Sequence, residues 1–268
     1  MTEQQVLPPL AGGAVPHVGT YRRVLPVSLE RMYENTLDWE HLPHVHAGSF
    51  GSIECLDSGP WGWRAALTSA AGAPSEIELR LDRPLRRWIT RNITGPAAGA
   101  EIWTHVFVEG ARELQINVDF FVPGVAPEQR EKVGKVYANL YAQLYDEDVA
   151  MMVERQRQLD QRMDRADAAE SMDIGPLAQL PERSTHRYGG RDLLVVREGD
   201  EVFAVPALCP HQLGPLQQGE ISDGCVTCPW HGYAFDLRSG ECRSGQSLRL
   251  HDLPQVSVVA GRVLLSLP

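Results

Sequence analysis

Lysine is almost missing from this 268-residue chain. Lys132 and Lys135 are the only two, so arginine supplies nearly all of its 25 basic residues. Set against 35 acidic residues they leave a net charge of −10, which disfavours nucleic acid or an anionic membrane as the main partner. No run of about 18 apolar residues is present to span a bilayer, and no apolar N-terminal stretch follows a basic region. Both absences point to the cytoplasm. No nucleotide-binding motif appears. The five cysteines, an odd number clustered mostly near histidines, argue for metal ligation over a disulfide framework. What remains is ordinary for a globular protein: 43% hydrophobic and 22% charged residues, in a length that suits one large or two modest domains.

Residues 1–16 (MTEQQVLPPLAGGAVP) read as a loose arm. YRRVLPV, from Tyr21, reads as a first strand. SLERMYENTLDWEHL reads as a helix, with a serine start signal and Leu29, Met32, Tyr33 and Leu37 at roughly helical spacing. Six β-like runs follow: SFGSIECL, WGWRAALT, SEIELRL, RRWITRNI, EIWTHVFV and ELQINVDFF. Alternation is clearest in the last, where Leu114, Ile116, Val118 and Phe120 share one face. This succession predicts a curved antiparallel sheet.

A long helix is expected from about Pro127 to Met163, with Pro127 in its first turn and Gly134 as its weak interior position. Val133, Tyr137, Leu140, Leu144, Met151 and Met152 form its expected buried stripe. Residues 164–181 turn acidic, small and proline-containing, as a linker does. From Glu182 short strands return as DLLVV, EVFAV, CVTC, GYAFDL, SVVAG and VLLSL. The expected organisation is an α+β domain over 17–163, a linker over 164–181 and a small all-β domain over 182–268.

Two knuckles, Cys209-Pro-His211 and Cys228-Pro-Trp-His231, stand sixteen residues apart. Zinc or an iron–sulfur cluster could use such ligands. Structural zinc often takes knuckles of like residues, whereas one cysteine and one histidine per knuckle suits two metals, both cysteines on one iron and both histidines on the other. Pro210 and Pro229 stiffen the knuckles, and Gly214 and Gly232 permit close turns. The pattern C-x-H-x(16)-C-x-x-H, with CPWHGYAFDLRSGEC as its second loop, resembles the Rieske [2Fe-2S] family from Glu182 onward. A Cys₂His₂ zinc knuckle is the alternative. Residues 213–215 are Leu-Gly-Pro, so the loop disulfide of membrane-complex Rieske proteins is absent; the resemblance is to the low-potential type of oxygenases and soluble ferredoxins. Cys55, Cys225 and Cys242 read as packed free thiols.

Upstream, ENTLDWEHLPHVH packs Asp38, His41, His44 and His46 into nine positions. On an unbroken helix His41 and His46 would lie about 140° apart. Pro43 disfavours helix at Leu42 and would let the chain turn back so that the two rings converge. The pattern Asn35-x-x-Asp38-x-x-His41-x(4)-His46 resembles the catalytic iron motif of Rieske non-haem iron oxygenases. That resemblance implies iron(II) held by His41, His46 and a later helical aspartate in a facial triad, and Asp38 as an electron-relay bridge to a cluster histidine. Asp148 is the candidate aspartate, because Leu140, Leu144, Asp148 and Met152 follow at i+4 and it interrupts the apolar stripe. Glu147 and Asp146 are its fallbacks, and His44 is the alternative to His46. His105 either lines the cavity or belongs to the sheet's polar face.

The same family implies a helix-grip (START-like) first domain whose helix and sheet enclose a mostly apolar cavity, with Trp61, Trp63, Trp88, Trp103 and Phe121 as candidate lining. The chain departs from the usual pattern in putting the Rieske domain second. The implied function is oxidation of a small organic substrate with O₂. Electrons would come from NAD(P)H through a partner reductase, with or without a ferredoxin, and the implied assembly is a homotrimer. The alternative is a non-enzymatic Rieske electron carrier fused to a START-like ligand-binding domain.

Overall fold

The structure, a computed structural model, describes residues 15–161 and 170–268. Most of the expected N-terminal arm, the last two residues of the expected long helix and the first part of the expected linker lie outside them. The chain divides into two compact units, one ending at Val153 and one beginning at Glu154.

In the first unit, β1 (His17–Leu25) precedes two short helices, α1 (Leu29–Leu37) and α2 (Leu42–Val45). Six strands follow: β2 (Phe50–Gly59), β3 (Gly62–Ser69), β4 (Pro74–Asp82), β5 (Arg87–Asn92), β6 (Glu101–Gly110) and β7 (Glu113–Phe121). The long helix α3 spans Arg130–Gln161. Pro127 lies in a 3-10 turn just before it, not in its first turn. The seven strands form one antiparallel sheet in the order β1-β7-β6-β5-β4-β3-β2. Register shifts in β1, β2 and β6 add to the natural strand twist and curl the sheet.

Period-two alternation decides which face is core. Leu114, Ile116, Val118 and Phe120 are fully buried and pack with Trp63, Ile77, Leu79, Trp88, Ile102 and Val106 in one cluster that also takes in Tyr145 and Met152 of α3. This is a helix-grip arrangement, with the sheet wrapped around the long helix. The opposite face carries ion pairs such as Arg64–Glu76, Arg80–Glu78 and Arg91–Glu101. His105 lies on that face, beside Trp103 at 6.3 Å. Trp103 also takes Arg87 over its ring, and Trp61 takes Arg80.

Leu140 is not part of the helix stripe; it is 37% exposed. Each i+4 step overshoots a turn by about 40°, so two steps back from Asp148 carry Leu140 off the buried face. Leu144 keeps its expected place at the cavity, joined there by Tyr141 and Tyr145. Gly134 has a positive role: a Cβ there would stand 2.2 Å from the Val18 carbonyl oxygen, because α3 and β1 touch backbone to backbone at Gly134 and Gly19.

Beyond the last turns of α3, which cross the division at Val153, the strands of the second unit are β8 (Met172–Pro176), β9 (Arg183–Tyr188), β10 (Arg191–Glu198), β11 (Glu201–Pro206), β12 (Glu220–Ser222), β13 (Cys225–Thr227), β14 (Ala234–Asp236), β15 (Gln255–Val259) and β16 (Arg262–Ser266). They form three three-stranded sheets, β11-β10-β9, β12-β13-β14 and β15-β16-β8. Met172–Pro176, expected in the linker, is therefore a strand, paired with β16 from Leu265↔Met172 to Arg262↔Pro176. Ile174 and Met172 pack against the Leu193, Val195, Val263 and Leu265 core, so its acidic and small residues concealed a strand's apolar face. No helix among the described residues is long and apolar enough to cross a membrane.

Gly134→Ala tests the close approach of α3 and β1. Helix propensity alone would add about 1 kcal/mol of stability, whereas a methyl forced against Val18 should remove about 1–3 kcal/mol. Thermal unfolding of the variant decides the sign.

Candidate functional site

The cysteine–histidine knuckles occupy two loops of the second unit with the same backbone turn. In the first, the Leu213 N–H donates to the Cys209 carbonyl and the Cys209 N–H to that of Gly214, at 3.0 and 2.9 Å. In the second, the Gly232 N–H donates to the Cys228 carbonyl and the Cys228 N–H to that of Tyr233, at 2.9 and 2.8 Å. The equivalent residues Leu213 and Gly232 share a left-handed conformation, φ 64° and 66°; glycine adopts it freely and leucine under strain. Each turn projects its cysteine and histidine to the same side.

The two loops meet. Cys209 and Cys228 are buried, and the rings of His211 and His231 stand edge to face with centroids 4.4 Å apart. Tyr233 packs against both, at 5.1 and 5.8 Å. The two thiols compete for a proton. The hydrogen bond from Cys209 pulls the Cys228 thiol down to about 5 against its burial, and the same bond together with burial pushes Cys209 up. Two buried cysteines beside two imidazoles in edge-to-face contact are the donor set a [2Fe-2S] cluster with two cysteine and two histidine ligands requires. Gly214 completes the cradle, because a Cβ there would lie 2.7 Å from Cys228 Sγ. Cys55, Cys225 and Cys242 are free thiols.

The first unit holds a separate cluster. Helix α1 ends at Leu37, with Ser28 capping its start through a hydrogen bond from the Arg31 N–H. The expected helix through Leu42 thus breaks earlier. Leu42 is itself helical, opening α2 with Pro43 in its first turn, so proline starts a helix where it was expected to prevent one. His41 caps the start of α2 and His46 its end, where φ −108° and ψ 40° leave the helix. Their rings lie 5.2 Å apart.

Asp148 of α3 faces both. Its Oδ1 is 3.4 Å from His41 Nε2 and 3.1 Å from His46 Nε2, and it accepts a 2.9 Å hydrogen bond from Asn35 Nδ2. Donor atoms of His41, His46 and Asp148 lie within 4.8 Å of one another, all buried. The outer nitrogens are also held. Glu147 Oε2 is 2.6 Å from His46 Nδ1, and Asp38 Oδ2 is 3.8 Å from His41 Nδ1, an ion-pair distance. Carboxylates behind both rings orient their Nε2 atoms toward the common point, as outer partners do in metal sites. Of the fallbacks, Glu147 thus backs a histidine, while Asp146 is largely exposed and pairs with Arg23 at 2.6 Å. His44 is exposed, unlike His46. Asn35 carried no role in the sequence; only the return of α3 reveals its bond to Asp148.

A cavity of about 130 Å³ adjoins the cluster. Trp63 and Trp88 line it with Phe50, Leu79 and Tyr141; Trp61, Trp103, Phe121 and His105 do not. Burial alone would lower the pKa of His41, but hydrogen bonds and charge from Asp148 and Asp38 hold it up at about 10. Burial would raise that of Asp148, but His41 and His46 hold its carboxyl well below the usual carboxylate range.

His41, raised from 6.5 to about 10 in the fold, contributes stability that is fully present below pH 6.5 and lost as pH rises through about 10. A metal ion must displace that proton. Binding of a divalent ion to the metal-free first site should therefore release protons and tighten as pH rises from 6.5 toward 10, read by calorimetry in buffers of different ionisation enthalpy; affinity flat across that range would contradict the assignment of His41. Separately, Gly214→Ala should lose the visible absorption of a cluster while the first unit keeps its fold by circular dichroism.

The Rieske [2Fe-2S] domain family matches residues 170–255. The ferredoxin subunit of anthranilate 1,2-dioxygenase from Burkholderia cepacia is 36% identical over 80 residues, 29% of this chain and 74% of that protein. The oxygenase component of dicamba O-demethylase from Stenotrophomonas maltophilia is 36% identical over 72 residues, 25% of this chain but only 21% of that protein. Among solved structures, the Zhui aromatase/cyclase from Streptomyces sp. R1128 is similar at 14% identity and a TM-score of 0.43, over 52% of this chain and 94% of its own. The matched loops are those that bring Cys209, His211, Cys228 and His231 together, and through them the chain belongs to the Rieske [2Fe-2S] domain family.

Proposed function

We propose that the chain is a Rieske-type non-haem iron oxygenase acting on a small organic molecule with O₂. The observation that carries this reading is the buried group His41, His46 and Asp148, two imidazoles and one carboxylate with donor atoms within 4.8 Å, beside an apolar cavity in a chain that also has a Rieske domain. Iron(II) bound by that set would keep coordination positions open for O₂, the chemistry such a triad supplies. Cys209, His211, Cys228 and His231 would hold the [2Fe-2S] cluster, which supplies electrons one at a time.

The chain's own residues prepare the site. Glu147 and Asp38 hold the outer edges of the two rings, and Asn35 holds Asp148. Trp63, Trp88 and Leu79 exclude water. Asp38, at the outer edge of His41, is the residue assigned to the electron relay. The described residues that line the cavity are mostly apolar and aromatic, which favours an organic substrate with substantial apolar surface. With no nucleotide motif in the chain, electrons would come from NAD(P)H through a partner reductase, with or without a ferredoxin. We place this system in the cytoplasm, as a homotrimer.

A second reading, an electron carrier with a ligand-binding domain, is favoured by the ferredoxin subunit among the relatives. Metal analysis separates the two. The oxygenase reading expects iron and acid-labile sulfide in a ratio of three to two; a ratio of one to one in fully reconstituted protein would sink it. His41→Ala should keep the cluster's visible spectrum while losing the extra iron and all substrate oxidation; turnover retained in that variant would refute the ligand set.

A further inference from the structure

Four tyrosines lie beside or near the His41–His46–Asp148 group. Tyr145 and Tyr141 line its cavity. The Tyr145 ring stacks on Tyr21 of β1, centroids 6.3 Å apart and planes inclined by 21°, and stands 6.3 Å from Tyr141. Phe120 continues the cluster to Tyr137 at 5.3 Å. Tyr145 is 5% exposed, whereas Tyr21 is only half-buried.

Packing alone does not ask for these hydroxyls. Phe120 shows that a phenylalanine fits the same cluster, and burying a phenol carries a desolvation cost that a phenyl ring avoids. Tyr145 offsets that cost with a hydrogen bond to Thr104. What a phenol adds is one-electron chemistry, since it can give up an electron and a proton together. Tyr141 lies on the cavity itself and leads on only to Phe120, which lacks that capacity, so the outward route runs from Tyr145 to half-buried Tyr21.

We infer that Tyr145 and Tyr21 form a one-electron outlet, which drains oxidising equivalents from the cavity to the surface when no substrate is there to consume them. The inference rests on the iron site proposed above. With hydrogen peroxide as oxidant the balance is simple. Peroxide takes one electron from bound iron(II) and one from a tyrosine, the phenol also releases its proton, and the products are iron(III), hydroxide, water and a tyrosyl radical. Tyr145 passes the vacancy to Tyr21 by recovering an electron from it and a proton, in exchange for the proton that Tyr21 releases to solvent.

The test uses the full-length, iron-loaded protein without substrate or reductase, mixed with peroxide and frozen within milliseconds to seconds. Electron paramagnetic resonance should show an organic radical whose hyperfine pattern collapses in protein grown on ring-deuterated tyrosine. Tyr21→Phe, a substitution at a half-buried position, should lose the surface radical, and peptide mapping should find oxidation moved from Tyr21 onto residues around the cavity. Tyr145→Phe should lose the radical at Tyr21 while leaving the iron content unchanged. A radical on Trp63 or Trp88, or one unaffected by either variant, would overturn the outlet. Iron and sulfide are measured on the same sample: no tyrosyl radical at a ratio of three to two sinks the outlet alone, and a ratio of one to one sinks the iron site and the outlet with it.

Discussion

The first unit depends on how one buried carboxylate is neutralised. Asp148 sits on the face of α3 that meets the sheet, among Tyr141, Tyr145 and Met152. An ionised carboxylate there is tolerable only with partners that replace its water. Those partners all come from one short segment, Asn35 from the last turns of α1 and His41 and His46 from the two ends of α2. The requirement explains otherwise odd features nearby: a helix that stops after nine residues and a second of four residues with a proline in its first turn. The contact of α3 and β1 at Gly134 lets the helix lie close enough for the carboxylate to reach across.

The two candidate centres gather their ligands by opposite means. The cluster loops of the second unit are local and repeated; the same turn appears twice, with its cysteine at the start and its left-handed residue four positions on. Each is complete within a few residues, and only their meeting depends on the tertiary fold. The histidine–aspartate group is assembled over more than a hundred residues, with one side fixed by helix ends and the other by the register of a long helix. Turns written in glycine and proline tolerate little change of length, while a helix face tolerates many sequences. The cluster loops are therefore easy to read and the histidine–aspartate group is not.

That difference sets what was legible in the sequence. All six β-like runs became strands and alternation assigned the core face of β7 correctly, because period-two patterning is local and strong. The knuckles identified the second unit, and the structure brings their four side chains together. Asp148 was selected over Glu147 and Asp146 through its place among Leu144 and Met152, although Leu140, offered in its support, faces solvent. The i+4 rule holds for one step and drifts over several. Met172–Pro176 was hidden because a strand completing a sheet across ninety residues leaves no mark beyond two alternating apolar residues. The roles of Asn35 and Glu147 were beyond reach for the same reason: each is defined only by what a distant element brings to it.

The carboxylates behind the histidines also bear on the proposal that the site holds a metal. A network built for stability alone would place one carboxylate against one histidine. Here His46 has Glu147 on Nδ1 and Asp148 on Nε2, and His41 has Asp38 and Asp148 in the same order. Three carboxylates of like charge surround two imidazoles, an excess of negative charge that burial penalises. A divalent cation at the shared point between the two Nε2 atoms and Asp148 would take the place of the two ring protons and leave both rings as neutral ligands, with Glu147 and Asp38 on their outer sides. Two Nε2 atoms and one carboxylate oxygen aimed at one place suit a single ion at their centre.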